Sequence, residues 1–173
     1  RPEAHDREAA VPPSMVTPMM SSCSSAGNVV RWNSEETASC RLRIISINDV
    51  YELDNLSRLK TLVEANSDGW PRENVIVALA GDFLAPSLLS SLDSGFGMVK
   101  VLNQVPVDLV CFGNHESDIP YNKLVQRIAE FEGTWLNTNM PGFKPEMPRY
   151  VIRKLRGDGG GEADPGARSV AFF

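Results

Sequence analysis

The apolar run at residues 74–80 constrains the fold more than any other part of the sequence. Its last six residues are Val, Ile, Val, Ala, Leu and Ala, with no polar residue among them. An unbroken apolar run of this kind indicates a strand that is buried on both faces, as in a parallel sheet. Further β-branched or apolar stretches at 41–47, 107–112 and 134–139 predict three more strands.

The segments between these strands have the periodicity of helices. Leucine and valine recur at helical spacing over 53–66, and similar patterns predict helical segments over 87–104 and 121–131. Strands that alternate with helices predict an α/β fold with a parallel sheet and right-handed crossovers. Beyond this unit, the sequence predicts another strand over residues 149–155. Residues 168–173 resemble the start of one more strand, and the glycine-rich stretch between the two is predicted to be a loop.

The sequence divides into a leader and a folded domain. Residues 1–38 contain four prolines and a serine-rich run without sustained periodicity, which predicts a disordered leader. Residues 41–173 form the predicted domain. Because the sequence begins at Arg1 rather than Met and stops within an apolar run, we expect a domain truncated at its C-terminus, the N-terminal portion of a longer protein. A secretory signal cannot be read from such an N-terminus.

Composition excludes several classes of protein. Of 173 residues, 42% are hydrophobic and 23% charged, which is typical of a globular domain. The net charge of −5 argues against binding to a nucleic-acid polymer, which would require a basic face. No apolar run approaches the ~20 residues of a transmembrane segment. The oligomeric state and the location stay open, with a cytoplasmic location marginally favoured.

Polar side chains follow three of the predicted strands. Asp49 and Asp82 are 33 residues apart, and Asn114, which precedes His115, follows Asp82 after 32 residues. A strand-helix-strand unit has about 30 residues or slightly more, so these residues are expected along one edge of the sheet, where open α/β folds bind ligands. Carboxylate, amide and imidazole groups suit Mn²⁺, Mg²⁺, Fe²⁺ or Zn²⁺.

Each of these residues also has an ordinary structural interpretation. Asp49 and Asp82 could be turn or cap residues, and Asn114 could adopt the left-handed conformation of a turn. His115 could be a hydrogen-bonded loop histidine. Asp118 precedes a predicted helix and could cap it. The repeated placement at strand ends is what favours a shared site over these separate interpretations.

The motifs together resemble the calcineurin-like metallophosphoesterase superfamily, in particular its 5′-nucleotidase branch. The resemblance covers residues 42–140 and rests on four motifs: Asn48-Asp49, Gly81-Asp82-Phe83-Leu84-Ala85-Pro86-Ser87, Gly113-Asn114-His115-Glu116-Ser117-Asp118 and Leu136-Asn137-Thr138-Asn139. It implies the N-terminal half of a βαβαβ sheet sandwich and the hydrolysis of a phosphate monoester, such as a nucleotide, by metal-bound hydroxide.

The resemblance also implies a role for each site residue. Asp49 would bind the first of two divalent metal ions (Mn, Zn, Fe or Mg), Asp82 would bridge the two, and Asn114 would bind the second. His115 would stabilise charge on the phosphoryl group or the leaving oxygen, and Asp118 would orient its imidazole. These two residues are the expected catalytic pair.

Two departures from the family pattern leave a second hypothesis open. Tyr51 stands where the family usually has a histidine, and no histidine follows His115, although the family has further histidine ligands later in the chain. A non-catalytic relative that binds a phosphate ligand or a protein is therefore the alternative. For the 173-residue chain in isolation, we expect weak metal binding and little or no turnover.

Overall fold

A computed structural model of the chain describes residues 39–158, 164 and 166–173. The predicted leader, residues 1–38, lies outside the described residues, as does most of the predicted glycine-rich loop. The remaining predictions about strands and helices fall within the described part of the chain. Its longest helix has 12 residues, and none of the helices described could cross a membrane.

Strands and helices alternate along the chain as the sequence predicts. They are β1 (Arg43–Ile47), α1 (Leu56–Ser67), β2 (Val75–Leu79), α2 (Leu88–Asp93), α3 (Phe96–Leu102), β3 (Leu109–Cys111), α4 (Tyr121–Glu130), β4 (Thr134–Leu136), β5 (Val151–Leu155) and β6 (Arg168–Phe172). Short 3₁₀ turns are formed by Arg72–Asn74 and by His115–Asp118.

The first four strands form one parallel sheet in the order β1-β2-β3-β4. Each strand therefore pairs with its neighbours in sequence, and the loops after β1, β2 and β3 leave the same edge side by side. We call this the C-terminal edge of the sheet. The prediction of an α/β fold with a parallel sheet is confirmed.

Strand β2 is buried because different layers cover its two faces. Val77 and Leu79 belong to the core formed with the helices. Ile76 and Ala78 point to the opposite face, where they pack with residues of β5 and β6. Coverage of both faces explains the unbroken apolar run, since every residue of β2 except the half-buried Ala78 is buried.

Strands β5 and β6 pair antiparallel and form a second sheet of two strands. Val151 and Phe172 from this hairpin pack against the face of the first sheet that the helices leave open. The fold is thus layered as helices, parallel sheet and hairpin. The sequence predicted both strands but not their pairing or position, because antiparallel partners that are about 17 residues apart leave no local signal.

Of the predicted boundaries that shift, two do so for local reasons. Helix α1 begins at Leu56 rather than at Leu53, since the Leu56 N–H donates to the Leu53 carbonyl at 3.0 Å in a preceding turn. Strand β4 ends at Leu136 rather than at 139. The Asn137 side chain bonds to both the backbone N–H and the carbonyl of Met140, which turns the chain away from the sheet.

Candidate functional site

The loops after β1 and β2 are joined by their backbones at the C-terminal edge. The Asp49 N–H donates to the Gly81 carbonyl at 3.3 Å, and the Val50 N–H donates to the Asp82 carbonyl at 3.0 Å. These bonds continue the pairing of the two strands beyond their ends. Asp49 and Asp82 therefore lie on neighbouring loops, with Asp49 opposite Gly81 and Asp82 opposite Val50.

Both aspartates have left-handed backbone conformations. The φ angle is 55° at Asp49 and 57° at Asp82. For a residue other than glycine this conformation costs about 1–2 kcal/mol, and it persists only where surrounding contacts impose it. The turn interpretation of the two residues is thus correct for their backbones, while their carboxylates are exposed at Asp49 and half-exposed at Asp82.

Glycines at two positions allow the second and third loops to approach each other. A Cβ atom at Gly81 would overlap the backbone of Gly113, and one at Gly113 would overlap the Asp82 carboxylate. Gly81 also has a positive φ of 83°. The glycine that precedes each polar motif is therefore required for the backbones to lie this close.

His115 lies between two carboxylates. Its backbone N–H donates to Asp82 Oδ1 at 2.8 Å, and its ring Nδ1 is 2.7 Å from Asp118 Oδ2. Helix α4 begins after Pro120 without a side-chain cap, so the capping interpretation of Asp118 is wrong. Asp118 instead leaves Nε2 as the ring nitrogen that can face a ligand.

The environment of His115 favours the charged imidazolium. The hydrogen bond with Asp118 raises the pKa of His115 above its usual 6.5, while partial desolvation lowers it. The negative charges of Asp82 and Glu116 add to the rise of this pKa. A cationic ring at this position suits an anionic ligand such as a phosphate group.

The backbone of Asn114 does not have the left-handed conformation that its interpretation as a turn residue predicts. Its φ and ψ angles are −82° and −26°, in the right-handed region. Its carbonyl accepts a hydrogen bond from Ser117 Oγ at 2.8 Å, whereas its side-chain amide has no hydrogen-bond partner among the described residues. The amide is exposed at the C-terminal edge and is free to bind a ligand.

Tyr51 holds the carboxylate of Asp49. The Tyr51 hydroxyl donates to Asp49 Oδ1 at 2.7 Å, and Asn48 Nδ2 bonds to the other oxygen. The bond with Tyr51 is the main cause of the lowered pKa of Asp49, and the same bond raises the pKa of Tyr51 to about 12. The Tyr51 ring also meets the His115 ring edge to face, with 6.0 Å between ring centres.

The sequence interpretation assigned no role to Glu116, which is the most deeply buried acid of the site. Only 1% of its surface is exposed. Its carboxylate accepts hydrogen bonds from four backbone N–H groups, three from residues 82–84 and one from Gly113. The available signal was an acidic residue inside a recognised motif, but sequence cannot reveal which backbone groups surround it.

Metal-binding groups are only partly assembled at this edge. In the described ranges 39–158, 164 and 166–173, no three His, Cys, Asp or Glu side chains are grouped to hold a metal ion. Asp82 and Asn114 lie on adjacent loops and each has an oxygen that could bind a hard cation. The Asp49 carboxylate, by contrast, is already engaged by Tyr51 and Asn48. The donors left for an ion at this edge are thus Asp82 and Asn114, and the Asp49 carboxylate is not available as that side chain now lies.

Neither the family models nor the curated proteins with which the chain was compared match it. The geometry of the C-terminal edge and the motifs found there are therefore the features that bear on function.

Proposed function

We propose that this chain carries part of the active site of a metal-dependent phosphoesterase that hydrolyses phosphate monoesters, most like a 5′-nucleotidase. One observation carries the proposal. Three neighbouring parallel strands end in loops that bear Asp49, Asp82 and the Asn114-His115 pair, and Asp82 is hydrogen-bonded to the backbone of His115. In an open α/β sheet, this edge is where ligands bind.

In this proposal the residues divide into ligands and a phosphate-facing pair. Asp82 and Asn114 hold a divalent ion, and Asp49 joins them only if it is released from Tyr51. A bound divalent ion supplies Lewis-acid activation of the phosphate ester and of water. His115 presents Nε2 to the phosphoryl or leaving oxygen, because Asp118 engages Nδ1.

A second candidate is a non-catalytic domain that binds a phosphate compound or a protein. The bond between Tyr51 and Asp49 favours it, since it occupies a carboxylate that two-metal catalysis would require. The two candidates differ in one respect that can be measured. Catalysis requires divalent metal at Asp82, whereas binding of a phosphate anion through His115 does not.

The test is a Mn²⁺ titration of the chain followed by electron paramagnetic resonance. We expect the wild-type chain to bind Mn²⁺ and Asp82→Asn to bind it at least about tenfold more weakly. Asp68→Asn is the matched control, since Asp68 is an exposed residue that follows α1. In the full-length protein, Asp82→Asn should also abolish metal-dependent hydrolysis of p-nitrophenyl phosphate.

Two results would contradict the proposal. One is a wild-type chain that binds no Mn²⁺ but binds inorganic phosphate, which supports the second candidate. The other is an Asp82→Asn variant with wild-type affinity for Mn²⁺, which removes Asp82 from the site. For the 173-residue chain alone we expect little or no hydrolysis, and a turnover number of ~1–10³ s⁻¹ would overturn that expectation.

A further inference from the structure

We propose that Glu116 is a positioning residue that holds the Asp82 loop and the Asn114-His115 loop in one fixed arrangement. The part of this proposal that concerns metal binding rests on the proposed function. The part that concerns the coupling of the two loops does not. Glu116 touches no ligand in this arrangement and acts through the backbones of the residues that do.

The contacts of Glu116 reach both loops through one carboxylate. Oε2 accepts from the N–H of Asp82 at 3.0 Å and from that of Gly113 at 2.6 Å. Oε1 accepts from Phe83 at 2.8 Å and from Leu84 at 3.2 Å. A single oxygen therefore joins two backbone segments that are more than 30 residues apart in sequence.

These bonds form a closed ring with the site residues. Glu116 fixes the Asp82 backbone, the Asp82 carboxylate accepts the N–H of His115, and His115 is the residue that precedes Glu116. The ring accounts for the left-handed φ of 57° at Asp82, since the N–H of a strained residue is held by a buried charge-assisted bond. A displacement of either loop would break at least one of these bonds.

The charge of Glu116 is balanced by N–H dipoles and not by a cation. No ion pair to Glu116 is present among the residues that the structure describes. Four converging N–H groups can hold a buried carboxylate, as in backbone nests that bind anions. If the fold needed only a filled space here, an apolar side chain would suffice at lower desolvation cost. The four backbone N–H groups that bond to its carboxylate explain why residue 116 is an acid.

The test is Glu116→Gln, which keeps the size of the side chain but replaces one acceptor oxygen with an NH₂ group. This group cannot accept hydrogen bonds, so at least one pair of backbone N–H groups loses its partner. Val99→Ala is the stability control, because Val99 is fully buried in the core and its apolar side chain cannot bond to Glu116 or to the amides that Glu116 holds. Both variants are studied at a temperature at which circular dichroism shows them to be folded.

Two readouts separate positioning from general stability. In ¹H-¹⁵N spectra, we expect the amides of residues 82–84 and 113 to shift and to exchange faster in Glu116→Gln, but not in Val99→Ala. We also expect Glu116→Gln to weaken Mn²⁺ binding roughly 10- to 100-fold, the usual effect of a residue that supports metal ligands. Val99→Ala should keep wild-type affinity even at an equal loss of thermal stability.

The outcomes distinguish this inference from the proposed function. Suppose that the wild type binds Mn²⁺ and that Glu116→Gln keeps wild-type amide shifts, amide exchange and Mn²⁺ affinity. This result would overturn the inference about Glu116 and leave the proposed function standing. A wild type that does not bind Mn²⁺ would overturn the proposed function and the part of the inference that concerns metal binding. The amide shifts and exchange rates would still test whether Glu116 couples the two loops. If Glu116→Gln does not fold, amide hydrogen exchange is measured on the wild type instead. Unprotected amides at 82–84 and 113 would then refute the coupling of the two loops by Glu116.

Discussion

At the scale of single residues, His115 and Glu116 show how a tight turn gives adjacent side chains opposite surroundings. Both belong to the 3₁₀ turn His115–Asp118. The His115 side chain is 35% exposed and engages Asp118 at the surface, whereas Glu116 is buried against backbone N–H groups. A side chain that can meet a ligand is thus held next to one that fixes the backbone.

Asp118→Asn is expected to lower the pKa of His115 toward 6.5, because the hydrogen bond with Asp118 is the main cause of its rise. The measurement is an NMR titration of the imidazole protons in EDTA, with His5, the other histidine, as an internal reference. Glu132→Gln is the control, since Glu132 lies two residues before β4, at the opposite end of that strand from the C-terminal edge. An unchanged His115 pKa would remove Asp118 as its partner.

The same shift sets the sign of a pH effect on stability. A pKa that is raised in the folded state means that protonation of His115 favours folding. This contribution is fully present below the unfolded value of about 6.5 and is lost as the pH rises through the folded value. Asp118→Asn should reduce that pH dependence in urea unfolding measured between pH 5 and 8.

At the scale of elements, helix α2 begins in a capping box directly after the Asp82 loop. Ser87 Oγ accepts from the Ser90 N–H at 2.9 Å, and Ser90 Oγ accepts from the Ser87 N–H at 2.8 Å. The helix has only six residues, too few to be stable by its own hydrogen bonds. The cap and the packing against α3 therefore decide where it begins.

Ser87→Ala should lower the free energy of unfolding by about 1 kcal/mol, as expected for the loss of an N-cap. Urea denaturation followed by circular dichroism measures the change. Ser91→Ala is the matched control, since Ser91 is exposed and its hydroxyl donates only to the Leu88 carbonyl within the same helix. An equal loss of stability in both variants would contradict the capping role.

At the scale of the whole molecule, Asn74 connects the parallel sheet to the hairpin. It is 2% exposed. Its Nδ2 donates to the carbonyls of Arg41 at 2.8 Å and Arg156 at 2.7 Å, and its Oδ1 accepts from the Arg156 N–H at 2.7 Å. One side chain thus satisfies backbone groups just before β1 and just after β5. The connection keeps the hairpin on the face of the sheet opposite the helices.

Asn74→Ala should cost about 1–3 kcal/mol, because it leaves buried backbone groups without partners. Hydrogen exchange should show the loss first in β5 and β6 and only later in β2 and β3. Asn103→Ala is the control, since Asn103 also bonds to two backbone groups, those of Glu130 and Glu132, neither of which belongs to the hairpin. If Asn74→Ala loses hydrogen-exchange protection equally in all strands, Asn74 does not hold the hairpin in particular.

Much of the fold and part of the candidate site could be predicted from sequence. Periodicity and β-branched runs gave the strands and helices, because these signals are local and depend on which faces are buried. The spacing of Asp49, Asp82 and Asn114 placed them on one edge, since each strand-helix-strand unit returns the chain to that edge. Their assigned roles in metal binding and catalysis stay predictions.

Other features were decided only by tertiary contacts. The position of the hairpin and the four N–H groups around Glu116 each join segments that are far apart in the chain, and their relative placement leaves no trace in local sequence. A buried carboxylate is stable only if its partners come from the surrounding fold. The sequence by itself thus determined which residues reach the C-terminal edge, and the tertiary structure decided which of them are free to bind and which are held in place.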